Sequence, residues 1–207
     1  MPALDVTSQD RFVLKQRIKL MINQYEFSVP DPAGDGKPFC FVEQKRFKFK
    51  EDIRFFADDS KQEELLKILA RQRFDPRARY DVTLPDGTKV GEIQKVFGKS
   101  LLRSEFAIFD ADGEEVARAR ERSLPVALFR RLVGFIPYIG DYADWLPIPY
   151  HFDFIRNGEV LGTHERRTGL FKFRDVYDLD FTADSERALD RRLILAIAVG
   201  MDALQAR

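Results

Sequence analysis

The chain has 207 residues, of which 44% are hydrophobic, and this length suits a single domain with one sizeable core. Its 34 basic residues equal its 34 acidic residues, so no overall field draws it to nucleic acid or to an anionic membrane. Any electrostatic binding must therefore come from local patches. The first ten residues, MPALDVTSQD, lack the apolar core of a secretory signal, which predicts a cytoplasmic protein.

Most of the first 180 residues are typical of β-strands joined by tight turns. Three times, an alternating aromatic run is followed by Asp-Gly or Asn-Gly and a Val-centred strand, as in FDFIRNGEVLGTH around Gly158. Two less regular copies lie earlier in the chain. The five predicted hairpins begin at Tyr25, Ile53, Tyr80, Phe106 and Phe152. With a strand near Phe12 and a last strand near Phe171, they predict about twelve strands in one domain, 1–207.

The strand EVARARER alternates small and basic residues. Ala117 and Ala119 share one face, which we expect to point inward, and the outward face presents three Arg side chains about 7 Å apart. Either cross-strand acids neutralise these charges, or they form an anion or phosphate site, for which guanidinium groups are well suited. The candidate ligand-binding residues are Arg118, Arg120, Arg122, Lys172 and Arg174.

The segment 124–149 interrupts the hairpin pattern. Its apolar residues recur at helical spacing with Arg130 and Arg131 on the opposite side, which predicts one short extra helix that ends at Pro137. An aromatic loop containing Trp145 follows. The insertion could cover the barrel mouth, lie in a membrane interface or dock a protein partner. The candidate surface residues are Phe129, Arg130, Arg131 and Trp145.

The run RRLILAIAVGMDAL from Arg191 to Leu204 looks like part of a membrane anchor, but a helix of its length spans only about 20 Å of the roughly 30 Å of hydrocarbon. No transmembrane span is therefore predicted. Cap residues Asp184 and Ser185 predict a helix over 185–205. This helix is apolar on every side, so it must be surrounded by apolar groups. The strands and the helix together predict a mainly β fold. In this fold a closed antiparallel barrel of about twelve strands surrounds the buried C-terminal helix.

Two stretches carry a family resemblance: NQYEFSVPDPAGDGKPFCFVEQKRFKFKEDIRFF, and the ending FTADSERALDRRLILAIAVGMDAL with Phe181, Asp184 and Asp202 at matching positions. They resemble the tubby-like barrel superfamily, which includes LURP-one-related proteins and phospholipid scramblases. The resemblance implies a closed twelve-stranded barrel around a hydrophobic helix. It also implies lipid association, because tubby domains bind phosphoinositides through basic side chains and scramblases are lipid-associated.

No nucleophile, acid–base pair or phosphate-binding loop stands out, so we expect a non-enzymatic protein without a cofactor. His151 and His164 flank one hairpin without partners at metal spacing, which favours surface or hairpin positions and no metal site. The leading hypothesis is peripheral binding of anionic phospholipid or another phosphate-bearing ligand. The alternative is a protein-interaction or structural module that binds no lipid, with a partner at 124–149. A small ligand inside the barrel is disfavoured, because the helix would occupy the space.

Overall fold

Twelve antiparallel strands form one closed barrel in the computed structural model, which describes residues 5–18, 22–45, 52–70, 79–96, 104–123, 151–167 and 175–203. The strands are β1 Arg11–Ile18, β2 Ile22–Ser28, β3 Pro38–Lys45, β4 Asp52–Phe56, β5 Glu64–Ala70, β6 Arg79–Thr83, β7 Lys89–Lys95, β8 Glu105–Phe109, β9 Glu115–Glu121, β10 His151–Arg156, β11 Glu159–Arg166 and β12 Val176–Asp180. Each strand pairs with its neighbours in sequence, and β1 pairs with β12 to close the barrel. Closure leaves no unpaired sheet edge.

All five predicted hairpins form, as β2–β3, β4–β5, β6–β7, β8–β9 and β10–β11. The tightest turn contains Asn157 and Gly158, with φ of 52° and 87°. Two consecutive positive φ values are what a type I′ turn requires, and its twist matches that of the flanking strands. The Asn-Gly signal in the sequence therefore sets the register of β10 against β11.

The inward faces of the strands form the core. Ala117 and Ala119 point inward with 4% and 0% of their surface exposed, while the alternating Arg118 and Arg120 point outward. The small alanines lie beside large aromatic side chains, since Ala119 pairs with both Phe106 and Phe154 across the sheet. The predicted faces of this strand are confirmed.

The helix α1, Arg191–Ala203, is buried in the interior of the barrel. From Leu193 to Val199 every side chain is at most 4% exposed, on all sides of the helix. Complete burial of an all-round apolar helix is the outcome that its sequence predicts. Among the described residues, no helix combines the length and hydropathy needed to cross a membrane.

The start of α1 differs from the prediction, because residues 185–190 form turns and the helix begins only at Arg191. Asp184 does accept backbone hydrogen bonds, from Ala188 and Leu189, but these belong to a turn in which Arg187 has a φ of 52°. A left-handed residue cannot continue a right-handed helix. The side chain of Asp190 instead accepts from the N–H of Arg192. The predicted helix in 124–149 lies outside the described residues.

Two glycines let the interior pack closely against the wall, and neither was predicted. A Cβ atom on Gly91 would lie 2.3 Å from the carbonyl oxygen of Phe109 and 2.9 Å from the methyl groups of Leu193. One on Gly162 would lie 2.3 Å from the ring of Phe181. Glycine is therefore required where α1 and the chain that leads into it touch the wall.

The alternation of strand direction gives the barrel two distinct ends. The hairpin end contains the five hairpin turns, the start of β1 and the start of α1. The far end is where β1, β3, β5, β7, β9 and β11 finish. These two names are used below.

Candidate functional site

The predicted Arg row lies on the outer wall, and each member is paired with carboxylates. The closest contact of Arg118 is to Glu115 at 2.6 Å, and Arg118 and Arg120 both reach Glu105, at 3.1 and 3.3 Å. Arg122 contacts carboxylates on two other strands. Its partners are Asp153 at 2.7 Å and Glu165 at 2.8 Å. Three guanidinium groups thus face four carboxylates, which favours the alternative in which cross-strand acids neutralise the row.

The pKa values on this wall reflect the pairing. Burial raises the pKa of Glu105, but hydrogen bonds from Arg120 and Arg118 outweigh it and leave a net lowering. Hydrogen bonds to Glu115 and Glu105 raise the pKa of Arg118, and a hydrogen bond to Asp153 does the same for Arg122. Glu105, Arg118 and Arg122 are therefore charged near neutral pH. A phosphate would have to compete with carboxylates already in place.

The other predicted site residues lie outside the described residues. Lys172 and Arg174 belong to the connection between β11 and β12, and the candidate surface residues belong to the connection between β9 and β10. The strand ends that these two connections join all lie at the far end of the barrel. The candidate surface residues are Phe129, Arg130, Arg131 and Trp145. The topology thus assigns both groups of candidates to connections of the same end.

The connections at the two ends carry opposite charge. Those at the hairpin end, 29–37, 57–63, 84–88, 110–114, 157–158 and 181–190, contain twelve acidic and three basic residues. Those joining strand ends at the far end, 19–21, 46–51, 71–78, 96–104, 122–150 and 167–175, contain fifteen basic and five acidic residues. The overall neutrality of the chain hides this segregation along the sequence, although one ion pair links the two groups in space, since Asp35 of the first group binds Arg167 of the second at 2.8 Å. The signal was present in the sequence, because alternate connections of an up-and-down barrel leave from opposite ends.

Buried polar side chains line the interior toward the far end. They are Gln16, Asn23, Gln44, Glu121 and His164, each at most 6% exposed. The amide of Asn23 donates to Gln44 at 3.0 Å, and Glu121 accepts from the N–H of Ser104 at 3.2 Å. Most of these groups are neutral, so burial costs less than it would for ions. Their positions follow from strand alternation.

His164 lies in the β10–β11 hairpin, as one of the two expected alternatives has it, but it is buried inside the barrel and is not on the surface. Its ring stacks on Tyr177 with centroids 4.7 Å apart and meets Phe152 edge-on at 6.4 Å. Neither ring nitrogen has a hydrogen-bond partner among the described residues. Burial lowers the pKa of His164 to about 3, with the nearby His151 adding to the effect. The side chain is therefore a neutral aromatic filler at physiological pH.

The hairpin end is closed by a buried ionic network. Arg191 is 1% exposed and binds Asp184 at 2.6 Å and Asp10 at 2.8 Å. Its Nε also donates to the carbonyl of Gln9 at 3.0 Å. These contacts hold residues 5–10, which we call the strap, over the start of α1. Arg187 holds the same segment through the carbonyls of Thr7 and Ser8.

Asp184 matches the position of an acidic residue in the scramblase ending, but here it is occupied by Arg191 and by two backbone N–H groups. Within the described parts of the chain, no group of three or more His, Cys, Asp or Glu side chains is placed to hold a metal ion. The contacts of Asp184 give it a structural role at this end of the barrel.

The solved structures that match this chain include one of low similarity. The crystal structure of a porin-like protein from Bacteroides uniformis ATCC 8492 matches with a TM-score of 0.24 and 9% identity, over 85% of this chain and 96% of that one. Similarity at this level supports no conclusion about fold or function. No curated protein matches the chain.

A family model gives a match over most of the chain. The model described as LURP-one-related matches residues 39–202, from the end of the first hairpin turn to the last residues of α1. This range contains ten of the twelve strands and nearly all of the central helix. The chain therefore belongs to the LURP-one-related family, part of the tubby-like superfamily.

Proposed function

We propose that this chain is a non-enzymatic tubby-like domain that binds anionic phospholipid headgroups, or another phosphate-bearing ligand, through the connections at the far end. The observation that carries the proposal is the segregation of charge. Fifteen basic residues against five acidic ones occur in the connections that join strand ends there. Basic groups near an anionic leaflet contribute about 1 kcal/mol each, so even a subset suffices for peripheral attachment.

The acidic hairpin end supports the same proposal. Its connections carry twelve acidic residues against three basic ones, so an anionic surface repels that end while attracting the other. The barrel then docks with its axis steeply inclined to the membrane and its far end toward the lipid. Charge at the two ends sets both the affinity and the orientation.

Within the far-end connections, Lys172, Arg174, Arg130 and Arg131 are the proposed headgroup contacts. Phe129 and Trp145 are proposed to enter the interface, where an aromatic side chain close to basic residues is favoured. The Arg row on the wall has a smaller part in this proposal, because Arg118 and Arg120 share Glu105 and Arg118 also binds Glu115. The proposed location is peripheral, on a cytoplasmic membrane surface.

The test is sedimentation with vesicles of phosphatidylcholine alone or with added phosphatidylserine, at low and high salt. We expect binding only to the anionic vesicles, and we expect salt to weaken it because exposed charges are screened. The variant R130Q/R131Q/K172Q/R174Q removes four charges and should weaken binding by on the order of a hundredfold or more. The wall variant R118Q/R120Q is the matched control and should bind nearly as well as the parent chain.

Absence of binding to anionic vesicles at low salt would overturn the proposal. An equal loss of vesicle binding in the wall variant and in the far-end variant would indicate that the Arg row is the binding site. A phosphate-bearing soluble ligand, tested as inositol phosphate in competition with the vesicles, separates headgroup recognition from general surface attraction. If no lipid binds and replacement of 124–149 by a short loop removes a protein partner, the interaction-module alternative holds instead.

A further inference from the structure

A cavity of about 500 Å³ opens at the hairpin end, beside the central helix. Its wall is formed by the strap, β3, the β4–β5 hairpin and the first turns of α1, so the helix bounds the space without filling it. The apolar lining comprises Val6, Phe39, Cys40, Phe55, Leu66 and Leu195. A mostly apolar cavity of this size with a few polar groups is typical of a small-molecule site.

Two carboxylates and one guanidinium group form the polar part of the lining. Arg192 is occupied by Asp190, which accepts from its Nε at 3.0 Å and from its Nη2 at 2.6 Å. Asp5 accepts only neutral donors, the N–H and hydroxyl of Thr7 at 3.0 and 2.6 Å. Glu63 forms no ion pair within the described part of the chain. The rim therefore carries two carboxylates that form no ion pair with a described residue, although the charge of Arg187 adds to the hydrogen bonds from Thr7 in lowering the pKa of Asp5.

We propose that this cavity binds a small organic cation with an apolar body, of the alkylammonium class. The apolar body lies against Phe39, Phe55 and Leu195, and the cation sits at the rim near Asp5 and Glu63. Removing the apolar body of the ligand from water supplies the affinity, at roughly 25 cal/mol per Å² of apolar surface. The two carboxylates supply the preference for positive charge.

An anion is disfavoured at the same place. It would have to displace Asp190 from Arg192 and would face Asp5 and Glu63 across the rim. The neighbouring turn adds Asp58, whose pKa is lowered by hydrogen bonds from Ser60, so that it too is ionised at neutral pH. The pKa of Asp5 is lowered in the same way by Thr7. The local field thus selects against carboxylate and phosphate ligands.

This site is separate from the proposed lipid surface, which lies at the opposite end of the barrel. Part of its wall also lies outside the range of the family match. Asp5, Val6 and Thr7 lie in the strap, ahead of the matched range 39–202. The cation preference therefore depends partly on a segment that the family model does not include, and either proposal can fail without the other.

The test compares three probes that share one chain: octylammonium, octanol and octanoate. Binding is measured by calorimetry on the full chain at neutral pH. We expect octylammonium to bind about tenfold more tightly than octanoate, with octanol between them, because exposed charge pairs contribute up to about 1 kcal/mol each. Three equal affinities, or no binding of any probe, would overturn the proposal.

Variants locate the site. In D5N/E63Q the affinities for the three probes should come within about twofold of one another. The affinity for octanol should be unchanged, since Asn retains the oxygen that accepts from Thr7. Asp86→Asn is the matched control, because Asp86 accepts from Thr88 in another turn of the same end but does not line the cavity. Ala57→Phe should fill the cavity and weaken the binding of all three probes. Persistence of the cation preference in D5N/E63Q contradicts the assignment.

Cys40 supplies a second readout that needs no substitution. It is the single cysteine of the chain and lines the cavity, and burial raises its pKa to about 12. Its modification by the small neutral reagent methyl methanethiosulfonate is therefore slow, because the thiolate is the reactive form. Octylammonium in the cavity should slow it further, in proportion to occupancy. Binding without any protection of Cys40 would place the ligand elsewhere and overturn the proposal.

Discussion

At the hairpin end, the buried polar groups are ions that satisfy one another. Arg191 binds the buried Asp184 and the partly exposed Asp10, and its contact with Asp10 ties α1 to the strap. Toward the far end, the buried polar groups are mostly amides and a neutral imidazole, and in the described part of the chain the ring nitrogens of His164 have no hydrogen-bond partner. The first arrangement tolerates little change, whereas the second depends on its side chains staying uncharged.

Under the proposed function, this difference separates the groups that fix the fold from the groups that would bind lipid. The network at the hairpin end fixes where α1 begins and how the strap lies across it. The connections assigned to the far end contain fifteen basic residues, whose charge has no part in the core. A protein that binds a membrane at one end gains from an ionic anchor at the other, because contacts with lipid then leave the core undisturbed.

The largest expected effect is at the hairpin end. Asp184→Ala removes the partner of a guanidinium group that is 1% exposed, and breaking a buried ion pair in this way costs about 3–5 kcal/mol. The hydrogen bonds that Asp184 accepts from two backbone N–H groups are lost as well. The measurement is the free energy of unfolding in urea.

Arg187→Ala is the control for this change, because Arg187 holds the same strap from an exposed position, with 41% of its side chain accessible. It should cost about 1 kcal/mol or less. If Asp184→Ala cost no more than Arg187→Ala, the network would not be what fixes this end.

At the far end, acid should weaken the fold through His164. Its pKa is about 3 when folded and close to 6.5 when unfolded, so only the unfolded chain takes up a proton between these values. Stability is then unaffected above pH 6.5 and falls as the pH drops below it, by about 2 kcal/mol at pH 5. The measurement is urea unfolding at pH 7, 6 and 5.

His164→Phe keeps an aromatic ring between Tyr177 and Phe152 and should remove this part of the pH dependence. Tyr177→Phe keeps the stacked ring and the histidine, so it should retain the dependence. An unchanged slope in His164→Phe would show that other groups cause the acid sensitivity and that the far end is not sensitive through its imidazole.

The sequence predicted the barrel because its signals were local. Asn157-Gly158 and the alternation of Ala117 and Ala119 specify a turn and a face without reference to distant residues. The start of α1 could not be found in this way, since the carboxylate of Asp184 is taken by a buried arginine seven residues later. Likewise, no residue close to His164 in the sequence indicates that its ring stacks on Tyr177.

The charge of the two ends could be predicted from the sequence, but only after the strand topology had been assigned. Only when alternate connections are assigned to opposite ends does a neutral chain separate into an acidic and a basic half. The Arg row shows the reverse problem. Its spacing left open both a phosphate site and neutralisation by cross-strand acids, because Glu105 and Asp153 come from neighbouring strands and their register decides the charge of the wall.

The smallest expected effects are on that wall, which belongs to neither end. Arg118→Gln and Arg120→Gln should each cost less than about 1 kcal/mol, because both side chains are 43% exposed and Glu105 keeps one cation in either variant. The double variant leaves Glu105, only 12% exposed, without a cation, so its cost should exceed the sum of the two. Urea unfolding of the four proteins in this cycle measures the coupling. An additive result would mean that the shared carboxylate is solvated on its own, and the wall would then offer the Arg row to an external anion after all.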